Sequence, residues 1–199
     1  MPKPYIPNDK WSQKAAQEGF RARSVYKLIE LDLRLHLLRP GMTVLDLGAA
    51  PGSWLQYTSK RIGPTGRAIG VDLTAIESIA PNVTLAQLDV TNDEALTSLL
   101  ASQHIDAIDL MLSDIAPSTS GVKDVDQWRS VELAQSVIAV ASRLLKPQGF
   151  CVVKVFRGAD FDEFLRGIKA QGIWNDPRVM QVQASRDRSR EVYVAMKRK

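Results

Sequence analysis

Two periodicities alternate along this chain. Short apolar runs at Thr43–Leu47, Ala68–Asp72, Thr84–Leu88, Ile108–Ser113 and Phe150–Phe156 predict buried strands. Helical patterns fall between most of them, at Ser53–Ile62, Asp93–Ser102 and Asp126–Leu145. In the last, Val131, Ala134, Ile138, Ala141 and Leu145 recur at spacings of three and four and make one apolar stripe. An earlier helix is predicted over Arg21–Leu38, with Val25, Leu28, Ile29, Leu31 and Leu35 partly on one face, and Arg39-Pro40-Gly41 ends it. Residues 1–18 are polar and proline-bearing, irregular or short-helical, and Ala75–Ala80 carries one turn at most. Beyond Phe156 the pattern predicts a helix near Asp160–Ala170 and strands at Val179–Ala184 and Val192–Lys197.

Strand–helix alternation predicts an α/β fold, a mostly parallel seven-stranded sheet with helices on both faces. The last two strands are joined by Ser185–Glu191, too short for a parallel crossover. They should pair as a hairpin and place one antiparallel strand in the sheet. The 199 residues suffice for a single domain with a full core, residues 1–18 forming a basic extension to it.

Composition changes this picture little, except in charge. No apolar run approaches the roughly 20 residues of a membrane helix. The start, MPKPYIPNDKW, has no signal-peptide core. The single Cys151 excludes an internal disulfide, suits a reducing compartment and reads as a packed strand residue. His36 and His104 form no Cys/His cluster for zinc. A cytoplasmic monomer without membrane or metal attachment is the expectation. Residues 1–27 carry a net charge of +4 and residues 178–199 a net of +5, so a total of +4 leaves −5 for the body. Basic ends on an acidic body suggest a polyanion, nucleic acid first, although basic tails can also be merely solvated.

The candidate chemistry begins at Val44-Leu45-Asp46-Leu47-Gly48-Ala49-Ala50-Pro51-Gly52-Ser53-Trp54. This is a buried strand feeding a tight turn and a helix, with Gly48 and Gly52 allowing close backbone approach. It lies where open α/β sheets bind nucleotide-like ligands. It lacks the spacing of a pyrophosphate-binding fingerprint and the Lys-Ser/Thr of a P-loop. A nucleoside without pyrophosphate fits, as in S-adenosylmethionine; an ordinary βα turn would also read this way.

Three acids at strand ends and one lysine within a strand extend the list. Asp72, about 20–25 residues past the turn, could bind both ribose hydroxyls or simply cap a turn. Asp89 could accept an adenine amine or cap the next segment. Asp114 follows the apolar Leu110-Met111-Leu112 and emerges beside the glycine turn. Lys154 stands in Cys151-Val152-Val153-Lys154-Val155-Phe156, where a buried strand calls for Val or Ile. It is buried, paired or aimed into a cleft, unless the strand is a solvated edge.

Gly19-Phe20-Arg21-Ala22-Arg23-Ser24, Asp46–Gly52, Ser113-Asp114-Ile115-Ala116-Pro117, Val153–Phe156, Ser185-Arg186 and Ser189–Tyr193 occur together in this order. On these segments the chain resembles the FtsJ/RrmJ family of RNA ribose 2′-O-methyltransferases, nearly end to end from about Lys10. The resemblance implies a Rossmann-like class I methyltransferase with S-adenosylmethionine as cofactor. It implies a catalytic tetrad at Lys27, Asp114, Lys154 and Glu191, and cofactor contacts at Gly52, Trp54, Asp72, Asp89 and Asp114. The likeness is greatest to the branch that methylates a uridine of large-subunit ribosomal RNA; relatives act on tRNA anticodon loops and mRNA caps. Ser53 stands where a second glycine is common, and the N-terminal extension is shorter than in some members. With the basic ends, the reading places Lys10, Lys14, Arg21, Arg23, Arg186 and Arg188 on RNA phosphates.

A ribose hydroxyl is a poor nucleophile at neutral pH, so the protein must align it and remove or hold its proton. Lys154 can act as base in its neutral form, which burial and a cation such as Lys27 would favour. Alternatively, it stays charged and steers the hydroxyl. Neither route needs a metal. A catalytically silent RNA-binding protein is the alternative of another class, and the intact tetrad argues against it.

Overall fold

The computed structural model describes residues 10–118, 120–185 and 189–199. Its elements run α1 (Lys10–Gln17), α2 (Val25–Leu35), β1 (Thr43–Leu47), α3 (Ser53–Ile62), β2 (Arg67–Asp72), β3 (Val83–Gln87), α4 (Asp93–Ser102), β4 (Ile108–Ser113), α5 (Lys123–Leu144), β5 (Leu145–Phe156), α6 (Phe161–Ala170), β6 (Arg178–Met180) and β7 (Glu191–Lys197). The seven strands lie in the order β3-β2-β1-β4-β5-β7-β6. β1 to β5 pair in parallel, and β7 runs antiparallel to both β5 and β6, so β7 is the one reversed strand. The order reverses between β1 and β4, which opens a crevice at their carboxyl ends.

Side-chain alternation sorts the core into two layers. Leu45, Leu47, Met111, Val153 and Val155 face α4, α5 and α6. Val44, Leu110, Leu112, Val152, Tyr193 and Ala195 face α2 and α3 with Leu28, Leu31 and Leu55. Each fully buried leucine contributes about 1.5–3 kcal/mol relative to an exposed one. The same parity sends Asp46, Lys154 and Glu191 towards the α2–α3 side. Asp32 on α2 fastens that layer: it accepts from Leu38 N–H (2.9 Å), Tyr57 Oη (2.9 Å) and Arg61 Nε (3.2 Å).

Several boundaries differ from the sequence pattern, each for a tertiary reason. α2 starts at Val25 rather than Arg21, and ends where His36 turns left-handed (φ 53°). The chain passes straight from α5 into β5 at Leu145, because β5 pairs with β4 on both sides of a register shift: Ile108 opposite Leu145, then Leu110 opposite Phe150. β6 stops at Met180, since side chains of α2 capture the following backbone: Arg34 donates to the Gln181 carbonyl (2.9 Å) and Glu30 accepts from Gln183 N–H (2.7 Å). Residues 75–80 form no helix; Arg21 occupies the carbonyls of Glu77 and Ser78 (both 2.8 Å).

Candidate active site

The turn after β1 is held from both sides. Gly48 and Ala49 N–H donate to the Val71 carbonyl (2.8 and 3.1 Å), and Ala50 N–H donates to Asp72 Oδ2 (2.9 Å). Gly48 (φ 78°) and Gly52 (φ 98°) take the left-handed region. A Cβ on Gly48 would fall 2.8 Å from Ile115 Cβ, and one on Gly52 2.8 Å from Ile79. Ser53, the departure from the family pattern, is buried and shares a hydrogen bond with Ser24 Oγ (2.8 Å). That bond ties the starts of α2 and α3 together. Trp54 is buried too: its Nε1 donates to the Ser24 carbonyl (2.8 Å) and its ring lies 6.0 Å from that of Tyr193.

A cleft of about 540 Å³ opens at this edge, lined among others by Gly48, Ala50, Asp72, Leu73, Asp89 and Asp114. A small recess between Ser24, Asp46, Gly48, Ser53, Trp54 and Asp114 adjoins it. Asp72 already holds backbone, accepting from Thr74 N–H (2.8 Å) on Oδ1, and each of its oxygens keeps a second lone pair. Asp89 accepts both Thr91 donors on Oδ1 (2.9 and 2.7 Å), and these hold its carboxyl below the usual range, the Thr91 backbone N–H first. Asp46 is 1% exposed and its Oδ2 has no hydrogen-bond partner among the described residues. Burial pushes its carboxyl well above the ordinary range, and the charges of Asp114 and Asp72 push it further. Acids, small residues and an orphaned buried oxygen suit a cationic nucleoside better than a nucleotide, and fit S-adenosylmethionine. A larger groove of about 670 Å³ lies at the opposite, amino edge of the sheet, lined by Lys60, Arg67 and Asn82 among others, away from these groups.

Lys27, Asp114, Lys154 and Glu191 come together beside the cleft. Lys27 Nζ lies 2.7 Å from Glu191 Oε1 and 3.4 Å from Asp114 Oδ2; Lys154 Nζ lies 3.1 Å from Asp114 Oδ1. Lys154 also donates to the Asp114 carbonyl. It is 5% exposed, in the interior of the sheet and opposite Tyr193 on β7, which rules out the solvated edge lysine. Burial acts to raise Asp114, but Lys154 and Lys27, with the Tyr193 hydroxyl, overcome it and hold the carboxyl below its usual value. Tyr193 is a member the sequence reading missed. Its Oη donates to Asp114 Oδ1 (2.6 Å), and burial pushes the phenol well up, so it stays a neutral donor. Its place two residues after Glu191, on the same strand face, was the available signal. Ser185 Oγ donates to Glu191 Oε1 (2.8 Å) and completes the group. Cys151 is buried, and burial pushes its thiol up to about 12.

The basic candidates have different surroundings. Arg21 donates to the Pro51, Glu77 and Ser78 carbonyls (3.1, 2.8 and 2.8 Å), so its guanidinium clamps the glycine turn. Arg23 donates to the Ala184 carbonyl (3.2 Å). Lys10 and Lys14 lie over the Trp11 ring (5.4 and 5.8 Å) on α1. Arg186 and Arg188 lie outside the described residues. Among the described residues, no helix is long and apolar enough to cross a membrane.

Comparison with known proteins agrees with this geometry. A protein named ribosomal RNA large subunit methyltransferase E, from Hahella chejuensis, is 43% identical over 96% of this chain and 91% of its own length. One of the same name from Azoarcus is 45% identical over 94% and 90%. A crystal structure from Plasmodium falciparum, described as a ribosomal RNA methyltransferase, superposes with a TM-score of 0.79 at 27% identity, covering 90% of this chain and 98% of that one. The FtsJ-like methyltransferase family matches residues 20–199, and this chain belongs to it.

Proposed function

We propose that the protein transfers a methyl group from S-adenosylmethionine to the ribose 2′-OH of a uridine in large-subunit ribosomal RNA, acting as one cytoplasmic, monomeric domain over residues 1–199. The observation that carries this reading is the tetrad joined through Asp114, which lines the cofactor cleft and also pairs with both lysines. Bound there, S-adenosylmethionine supplies an electrophilic methyl on a sulfonium and a neutral thioether leaving group.

The residues divide the work by position. Gly48, Gly52 and the backbone at Trp54 form the floor of the cofactor site; Asp72 takes the ribose hydroxyls and Asp89 the adenine amine. Lys154 meets the acceptor hydroxyl. Lys154 first gives up the proton of its ion pair with Asp114 to solvent, then takes the hydroxyl proton as the new C–O bond forms, and Asp114, 3.1 Å away, stabilises the ammonium produced. Lys27, anchored by Glu191, keeps Asp114 ionised and in place. Tyr193 fixes the same carboxylate from below. Lys10, Lys14 and Arg23, with Arg186 and Arg188, contact RNA phosphates, while Arg21 braces the turn.

The test incubates the protein with labelled S-adenosylmethionine and, in parallel, with ribosomes, free large subunits and total tRNA. Label in large-subunit RNA at a ribose 2′-oxygen is the expected result. Label only in tRNA would overturn the substrate assignment, and label in none would overturn the enzyme. A single-turnover rate that climbs with pH and levels off marks Lys154 as base; a rate indifferent to pH would leave it as a steering charge.

A further inference from the structure

One surface near the cleft is explained neither by packing nor by the tetrad. Val122, Val125 and Trp128 are 57%, 38% and 53% exposed at the start of α5. Spaced three apart, they lie along one side of that first stretch of helix. The residues beside them face inward and are occupied. Asp126 accepts from Ser120 N–H (2.6 Å), Ser120 Oγ (2.8 Å) and Gly121 N–H (3.3 Å). Ser130 Oγ accepts from Phe156 N–H at the end of β5 (3.0 Å), two residues past Lys154. The start of α5 is therefore locked to both loops that border the reaction site, and Trp128 is displayed outward from that lock. The loop before it, through Ala116, Pro117 and Ser118, forms a wall of the cofactor cleft, and Arg129 reaches the Ser118 carbonyl (3.5 Å).

The charges around this patch are predominantly positive. Lys123, Arg129 and Arg157 are exposed, and Arg190 donates to the Lys123 carbonyl (3.1 Å). Asp124 in that first turn and Glu132, one turn beyond Trp128, are the exposed carboxylates on this stretch of α5. A second copy of this chain would set one mainly positive surface against another, and three side chains are far short of the roughly 1,200 Å² that a stable protein interface buries. An unpaired nucleobase fits: its ring stacks on an aromatic face while its phosphates meet the surrounding cations.

We propose that Trp128, with Val122 and Val125 beside it, is a stacking platform for an unpaired base of the substrate RNA flanking the methylated nucleotide. This rests on the RNA reading above and adds a recognition site to it. Stacking holds the strand beyond the reacting ribose and so helps to set where the 2′-OH comes to rest. The platform acts on RNA binding and leaves the cofactor site alone.

The test compares Trp128→Ala and Trp128→Phe with the wild-type chain on a large-subunit RNA fragment that the wild type methylates. Trp128→Ala should weaken RNA affinity and raise the KM for RNA by roughly 5- to 150-fold, the range that corresponds to losing one stacked base. Trp128→Phe should recover most of it, and calorimetry should give both variants the wild-type affinity for S-adenosylmethionine. The dependence of RNA affinity on salt should keep its slope in Trp128→Ala, because no phosphate contact is removed, whereas Arg129→Ala should lower the slope by about one. Irradiating the complex made with 4-thiouridine RNA should yield an adduct on the peptide that contains Trp128. Wild-type labelling with unchanged RNA affinity in Trp128→Ala overturns the platform alone. So does a change in self-association in place of RNA binding. A wild-type chain that labels no RNA overturns the RNA reading and the platform with it.

Discussion

The wall of the cleft that we propose for the cofactor and the corner that we propose for the acceptor hydroxyl are built from neighbouring strand ends, yet they treat carboxylates in opposite ways. On the cofactor wall, Asp46 is buried beside Asp72 and Asp114, and burial drives its carboxyl upward. In the acceptor corner, Asp114 is 16% exposed and pulled downward by Lys154 and Lys27 against the same burial effect. Partnering decides the sign; depth alone does not. The acidic wall suits a ligand that carries positive charge. The corner pairs two lysines with two carboxylates, so the ammonium that forms when Lys154 takes the hydroxyl proton is not left as an uncompensated buried charge.

The largest break in this comparison should come from Lys154→Ala. Single-turnover methyl transfer is expected to fall by about 10²- to 10⁴-fold, the usual contribution of a positioned acid or base, with cofactor affinity by calorimetry unchanged. A near-wild-type rate would remove Lys154 from the reaction. Asp114→Ala strikes both regions at once. It leaves Lys27 and Lys154 without their shared carboxylate, and thermal unfolding should report a loss of about 3–5 kcal/mol, together with weaker cofactor binding and loss of rate. Retained stability would mean that water replaces the carboxylate at no cost.

Asp72→Ala confines the damage to the cofactor wall. Affinity for S-adenosylmethionine should drop roughly 10- to 100-fold, in keeping with about 1.5–3 kcal/mol for a charged hydrogen bond, while affinity for RNA stays put. Equal losses for both ligands would show that the turn itself had collapsed, since Asp72 also holds Ala50 and Thr74.

The smallest effect concerns pH. Burial raises the Asp46 carboxyl above the value near pH 4 at which the unfolded chain releases its proton. Its contribution is therefore fully present below that value and is lost as pH rises through its raised folded value, with a slope of up to about 1.4 kcal/mol per pH unit. Asp114 runs the other way: its contribution is present above about pH 4 and lost as pH falls through its depressed folded value. Asp46→Asn should flatten the decline in stability on the alkaline side and leave the acid limb alone. Denaturant midpoints measured across pH decide this, and an unflattened curve would mean that Asp46 is ionised in the fold.

The parallel sheet, the reversed last strand and the glycine turn were legible along the chain, because hydrophobic period, glycine placement and connection length are local properties. Lys154 was legible as an anomaly, a charge in a valine run. Its partners needed the fold, since Lys27, Asp114, Lys154 and Glu191 come from four separate segments and share one corner only because strand parity and the packing of α2 bring them there. Tyr193 had no role in the sequence until β7 paired with β5 and brought its hydroxyl to Asp114. Arg21 looked like a phosphate ligand until the residue 75–80 loop offered it carbonyls. The exposed side of α5 lay beyond any reading of amphipathic period, because exposure depends on what the other elements leave uncovered. By itself, the sequence determined the order of elements and the identity of the chemical groups, through interactions between near neighbours. The tertiary structure decided which charges meet, which stay alone and which way each carboxylate shifts, because those depend on distances between residues far apart in the chain.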